Sequence, residues 1–334
     1  MEDDRISLAH GNGGRFMREL IEEIFARHLG PETLDIQADA APIQLNGGDV
    51  LITTDGFTVQ PLEFPGGDIG SLAVHGTTND LAVAGAKPMY LTLNAFIEEG
   101  LEIDTLDRIV QSLATAATEC GVQVVAGDTK VLPRGEGGGL YLATTGVGMR
   151  PQGCDIGMHR IQAGDRILVS GPVGDHGIAV MLAREDFEIS GDVNSDSASV
   201  IDLAEAAQRL DGLRFMRDPT RAGLVGVAYE IAQHAAVTIR LKETEIPVRD
   251  SVRMVCEMLG YDPYYLACEG RVVAIVSSEQ ADELLQSWRS LPAGNGAAII
   301  GRIEQGPSRI ILETEISGER ILDDLEEDPL PRIC

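Results

Sequence analysis

Polar and apolar positions along this chain follow two alternating periods. Residues 14–29 place Phe16, Met17, Leu20, Ile21, Ile24 and Phe25 on one helical face. Residues 49–54 (DVLITT) predict a strand that ends at Asp55. Residues 69–85 predict a helix whose small side chains permit close packing. A strand over 88–97, an amphipathic helix over 104–120, a strand over 122–126 ending at Gly127-Asp128 and a strand over 140–149 follow. Gly and Pro punctuate 150–165, which reads as a domain boundary. Beyond it a strand at 166–170 runs into the Gly-rich turn GPVGDHG. Helices are predicted near 176–184, 197–210, 220–234 and 248–259, and strands near 214–217, 237–241, 271–277, 297–303 and 309–313. Interleaved periods of this kind define an α/β (α+β) chain.

After Leu325 no buried-face period remains, and the segment is acidic with two prolines. Residues 323–334 therefore read as a mobile tail. Fully extended, that tail reaches roughly 40 Å, at about 3.3–3.6 Å per residue. The expected organisation is a Gly-rich segment and helix over 1–40, a first α/β domain over 41–154, a second over 155–322, and the tail.

Charge narrows the choice of partners. The 334 residues carry 26 basic and 53 acidic side chains, a formal net charge of -27. Such a chain repels nucleic acid and anionic membrane, so neither is an expected partner. Any bound nucleotide needs cations and backbone N–H groups to neutralise its phosphates locally. Lysine is confined to Lys87, Lys130 and Lys242. The N-terminus, MEDDRISLAHG, lacks the basic and apolar regions of a signal peptide, and no apolar run is long enough to span a bilayer. A cytoplasmic location is the expectation.

The five cysteines form no CxxC pair, and their odd number does not suggest a disulfide framework. Cys120, Cys256 and Cys268 sit among apolar neighbours and read as core fillers. Cys154 falls in a loop-like stretch, and Cys334 is the last residue.

Five constellations can carry chemistry. Asp55, Asp80, Asp128 and Asp218 each stand beside Gly, Thr, Asn or Pro at the end of an apolar run. Converging carboxylates of this kind can hold Mg²⁺ against a triphosphate; the alternative for each is a turn or helix cap. HGNGG at 10–14 precedes a helix and can offer backbone N–H groups to phosphate, or it is a plain turn. Lys130 follows Asp128 and Thr129 and reads as a phosphate contact, a base or a surface lysine. Glu269 in CEGR is either a partly buried carboxylate or an exposed turn residue paired with Arg271. PLPRIC presents Cys334 as an accessible thiol on an arm, or as an accidental free cysteine.

In order along nearly the whole chain, SLAHGNGG, TTDGF, FPGGDIGSLAVHGTTNDLAVAGA, VVAGDTKVLPRG, VSGPVGDHG, RDPTRAGL, ACEGR and PRIC resemble the HypE family of hydrogenase maturation factors. The Asp-rich motifs alone indicate the wider superfamily of aminoimidazole ribonucleotide synthetase, thiamine-phosphate kinase and selenophosphate synthetase. The terminal PRIC is the specific mark. The resemblance implies a two-domain PurM-like fold whose first domain binds ATP and pairs by its strands into a homodimer. It implies an ATP-dependent carbamoyl dehydratase, loaded at Cys334 by the carbamoyltransferase HypF and delivering cyanide through a HypC–HypD complex to a [NiFe] hydrogenase. Metal ligands implied for Mg²⁺ are Asp39, Asp55, Asp80, Asp128 and Asp218. Implied nucleotide contacts are His10, Gly11, Gly13, Gly14, Asp55, Asn79, Asp80, Asp128 and Thr129. Cys334, Glu269 and Lys130 are the implied catalytic set, with Glu269 preferred as the base. Two competing readings are another ATP-dependent kinase or ligase of the superfamily, which has no need of Cys334, and a non-enzymatic adaptor with a docking tail, which consumes no ATP.

Overall fold

A computed structural model describes residues 5–7, 10, 19–29, 47–184, 193–324, 330 and 333–334. The chain divides into two compact units, one of residues 1–81, 86–152 and 332–334, the other of 82–85 and 153–331.

The first unit is built on a four-stranded sheet. Strands β1 (Asp49–Phe57), β4 (Lys87–Glu98), β5 (Gln123–Leu132) and β6 (Leu140–Arg150) lie in the order β1-β6-β4-β5. Only β4 and β5 run parallel. A two-stranded ribbon, β2 (Glu63–Phe64) and β3 (Gly67–Asp68), precedes helix α1 (Ile69–Val83). Leu91, Leu93, Ala95 and Ile97 alternate into the core along β4, as a half-buried strand requires. The other face leaves Val50, Ile52 and Phe96 exposed. Helix α2 (Ile103–Glu119) buries Leu106, Ile109, Val110 and Leu113 at helical spacing. Gly70 in α1 lets the backbones meet: a Cβ there would lie 2.3 Å from the Ile109 carbonyl oxygen.

The predicted N-terminal helix is described from Glu19 onward, and its Leu20, Ile24 and Phe25 are buried. It is π-helical over Ile21–Ala26 and α-helical over Arg27–Leu29. Phe16 and Met17 lie outside the described residues.

The second unit carries a seven-stranded sheet in the order β13-β12-β9-β11-β7-β10-β8. These are β7 (Arg166–Val169), β8 (Leu213–Arg217), β9 (Thr238–Lys242), β10 (Val273–Val276), β11 (Ala298–Glu304), β12 (Arg309–Glu313) and β13 (Glu319–Leu322). All neighbours are antiparallel except β9 and β12. Every residue of β10 is buried, because apolar clusters cover both faces. One cluster takes Val273 and Ile275 with α5 (Gly223–Ala235). The other takes Ala274 and Val276 with α4 (Ile201–Gln208) and α7 (Ala281–Arg289), where Trp288 Nε1 donates to the Leu203 carbonyl at 2.9 Å. Helices α3 (Asp175–Arg184) and α6 (Asp250–Leu259) complete the unit. Among the described residues no helix is long and apolar enough to cross a membrane.

Several elements differ from expectation. Strand β1 continues past Asp55 to Phe57, and β5 runs through Asp128 and Lys130 to Leu132, because ladders to β6 and β4 hold them extended. Helix α7 and strands β2, β3 and β13 stand where no element was expected.

Candidate active site

The sheet register sorts the predicted residues of the first unit. Asp55 lies opposite Thr144, which lies opposite Leu93, which lies opposite Gly127. Thr144 and Leu93 are buried, so Asp55 sits on the core-facing side of β1, half-buried. Two residues earlier on the same side, the Thr53 hydroxyl donates to Asp80 Oδ2 at 2.8 Å. Asp80 and the buried Asn79 stand near the end of α1. Thr77 of the same helix bonds to the Thr144 hydroxyl, fixing α1 over this edge. Asp55 and Asp80 are thus brought to one sheet edge.

Asp128 falls in the next row, opposite Asn94, and so on the other face at the other edge. Its carboxylate pairs with Lys130 Nζ at 2.8 Å, with side chains 52% and 57% exposed respectively. Asp128 Oδ1 also accepts the Thr129 N–H at 2.9 Å, while Thr129 itself is buried on the core side. Among the described residues no cluster of three or more His, Cys, Asp or Glu side chains forms a ready metal cage. His10 is buried, and its Nδ1 accepts the Ser7 N–H at 3.1 Å. Gly11, Gly13, Gly14 and Asp39 lie outside the described residues.

Cys334 belongs to this unit. Its backbone oxygen accepts two hydrogen bonds from Thr58, the N–H at 3.1 Å and the hydroxyl at 3.2 Å. Thr58 directly follows β1, three positions beyond Asp55, so the last residue is anchored at the acidic end of that strand. Cys334 is half-buried and Ile333 is buried. The backbone of Cys334 is thus held, while residues 325–329 and 331–332 of the expected mobile tail lie outside the described residues. Thr58 was missed from sequence, since one threonine among several carries no local signal.

In the second unit Glu269 is 2% exposed, on the segment that leads into β10. That burial excludes the exposed-turn alternative. The Cys268 N–H donates to the Pro219 carbonyl at 3.0 Å, which sets the Glu269 segment beside the one carrying the buried Asp218. Cys268 is a core residue whose sulfur accepts the Gly174 N–H at 3.3 Å, and burial pushes its thiol well up. Arg271 pairs not with Glu269 but with Asp196 at 3.2 Å and Asp175 at 3.5 Å. Burial raises the Asp175 carboxyl, Arg249 at 2.8 Å opposes the rise, and the Asp196 charge adds to it.

Two such α/β units, the first bearing carboxylates at the strand and helix ends of a Thr-rich sheet, define the AIR synthase related class. Residues 37–150 match its N-terminal domain and residues 162–313 its C-terminal domain. Within that class the chain belongs to the HypE family, the carbamoyl dehydratases of hydrogenase maturation. The carbamoyl dehydratase HypE of Azotobacter vinelandii is 46% identical over 100% of this chain and 98% of its own length. A solved hydrogenase maturation protein HypE in complex with ATP matches with a TM-score of 0.93 at 42% identity, covering 98% of this chain and 99% of that one. The solved HypE–HypF complex matches with a TM-score of 0.80 at 40% identity, covering 91% of this chain and 99% of that one.

Proposed function

We propose that this chain uses ATP to dehydrate an S-carbamoyl group carried on its own Cys334, leaving a thiocyanate. The carrying observation is the anchoring of Cys334 by Thr58 at the Asp55 end of β1. ATP as phosphoryl donor is supported by the ATP-bound relative.

An amide oxygen is a poor leaving group, and phosphorylation makes it a good one. The oxygen attacks the γ-phosphorus and ADP departs. Loss of both N–H protons then expels phosphate and closes S–C≡N. The balance is one thiocarbamate and one ATP in, one thiocyanate, ADP, phosphate and a proton out. Phosphoryl transfer asks mainly for positioning and charge neutralisation. Mg²⁺ binds through one or two carboxylates together with substrate phosphates, which is the donor set that Asp55 and Asp80 offer at their shared edge. Asp218 and Asp39 are the further candidate ligands; Asp128, on the other face and edge of the sheet, is a separate candidate. Mg²⁺ would spread the charge of the transferring phosphoryl group. His10 and the Gly-rich 11–14 segment, with Asn79 and Thr129, are the candidate nucleotide contacts. Glu269, buried in the second unit, is the general base, and Lys130 stabilises developing charge.

Loading of Cys334 by HypF is supported by the relative's complex. Delivery to a HypC–HypD pair, in the cytoplasm, follows the family's role in hydrogenase maturation. The open sheet face bearing Val50, Ile52 and Phe96 supports pairing of two first units in a homodimer.

Intact-mass spectrometry after incubation with HypF, carbamoyl phosphate and ATP tests the reading. The expected result is a carbamoyl adduct that then loses the mass of water, with both species absent in Cys334→Ala. ATP consumption with cyanide formation in Cys334→Ala would overturn it.

A further inference from the structure

Glu269 cannot place itself. It occupies an irregular segment between a short 3-10 turn at Pro263–Tyr265 and strand β10, so no helix or strand ladder sets its backbone. Its N–H instead donates to Asp196 Oδ1 at 3.1 Å, a contact across 73 positions of sequence. The other carboxylate oxygen, Asp196 Oδ2, lies 3.2 Å from Arg271 Nε, two residues beyond Glu269. Arg271 is itself held on three sides: Nε donates to the Pro172 carbonyl at 2.9 Å, Nη1 to Gly270 at 3.4 Å, and Nη2 meets Asp175 Oδ2 at 3.5 Å. Asp175 is tied in turn to Arg249 at 2.8 Å.

Sterics close the clamp. A Cβ at Gly270 would lie 1.9 Å from the Asp196 carbonyl oxygen, so only glycine lets the two segments approach this closely. Asp196 comes from a stretch with no regular structure, and it is fixed there by its neighbour: Ser195 Oγ accepts the Ser197 N–H at 3.0 Å and bonds to the buried His176 ring at 2.8 Å. A charged carboxylate and guanidinium taken out of water cost several kcal/mol unless both are well paired. A fold that needed only a turn here has simpler solutions. What this pair specifies is the height and direction of the backbone between Cys268 and Arg271.

We infer that Asp196 and Arg271 are positioning residues for Glu269, a buried clamp that aims the general base of the dehydration step. The inference rests on the reading of Glu269 as that base. It requires that the clamp act through Glu269 and through nothing else. Asp196→Asn keeps the side-chain volume but removes the carboxylate charge that faces Arg271.

The test is a single-turnover cycle on protein already carbamoylated by HypF, followed by intact mass after ATP is added. Wild type, Glu269→Gln, Asp196→Asn and the double variant are compared, with loading yield and ATP affinity measured alongside. Glu269→Gln should slow dehydration about a hundredfold and Asp196→Asn about tenfold, both with loading and ATP affinity unchanged. The double variant should be no slower than Glu269→Gln alone, because the clamp has nothing left to aim. Multiplied losses in the double variant, or a wild-type rate in Asp196→Asn, would overturn the clamp while leaving Glu269 as base. A wild-type rate in Glu269→Gln would remove the base itself. Should Asp196→Asn not unfold cooperatively, Arg271→Lys enters the same cycle, since it keeps the cation and loses the fork. Failure of both variants to fold would assign the pair a purely structural role and contradict the inference.

Discussion

The two units hold their charged groups in opposite ways. In the first, Asp128 and Lys130 form an exposed pair, and Asp55 and Asp80 line a half-buried edge. In the second, Asp175 and Asp196 are joined through Arg271, Asp196 accepts the Glu269 N–H, and all four residues are under 10% exposed. Exposed groups cost little to hold and stay available to a ligand that brings its own charge and cations. Buried groups are costly to hold, and what they return is a fixed geometry. The proposed nucleotide-handling edge and the proposed general base have these two different needs.

The largest expected effect comes from breaking the buried set. Arg271→Met leaves Asp175 and Asp196 without their shared cation and should cost about 3–5 kcal/mol in urea unfolding. A loss under about 1 kcal/mol would show that the second unit is not charge-paired as described.

The first unit buries titratable groups too, His75 among them. His75 in α1 is held by burial down to about 4, from an ordinary value of 6.5. Its contribution to stability is whole above pH 6.5 and is lost as pH falls toward 4, because the unfolded chain takes up the proton first. The loss should approach about 3 kcal/mol at 1.36 kcal/mol per pH unit. Unfolding curves between pH 7.5 and pH 4 should be flatter by that amount in His75→Gln.

Asp80→Asn should leave HypF loading intact and slow dehydration about a hundredfold, or about 2.7 kcal/mol of barrier. Undiminished cyanation would remove Asp80 from the metal set. Thr58→Val removes one of the two bonds to Cys334 and should slow the same step by roughly tenfold, about 1.4 kcal/mol, without affecting loading. The smallest effect sharpens the contrast most. Lys130→Ala should change stability by about 0–1 kcal/mol, as exposed pairs do. A larger loss by thermal unfolding would mean that the first unit's pair is structural after all.

How far the sequence foretold this depends on how local each signal is. Strand β10 was legible because burial on both faces makes it a continuous apolar run. Helix α2 was legible because its apolar residues keep helical spacing. The ends of β1 and β5 were not, since Gly56 and Gly127 look like strand breaks, and only the partner strands keep the backbone extended past them. Helix α7 shows its pattern in Ala281, Leu284 and Trp288, at i, i+3 and i+7, which polar neighbours mask. Strand β13 is a short charged edge with a single buried residue, Leu322. At the site, Asp55 and Asp80 carried motif context, whereas Thr58 and Asp196 act only through contacts remote in sequence. Arg271 was visible as a neighbour of Glu269, and the alternative that paired the two did not foresee Asp196, which is remote in sequence.

The central claim is that the oxygen of a carbamoyl group on Cys334 leaves on phosphate. Loading the chain with carbamoyl groups labelled with heavy oxygen and adding ATP measures this directly. The account predicts one labelled oxygen in each inorganic phosphate released and none left on the protein. Label recovered in water, or retained at Cys334 while ATP is consumed, would contradict it.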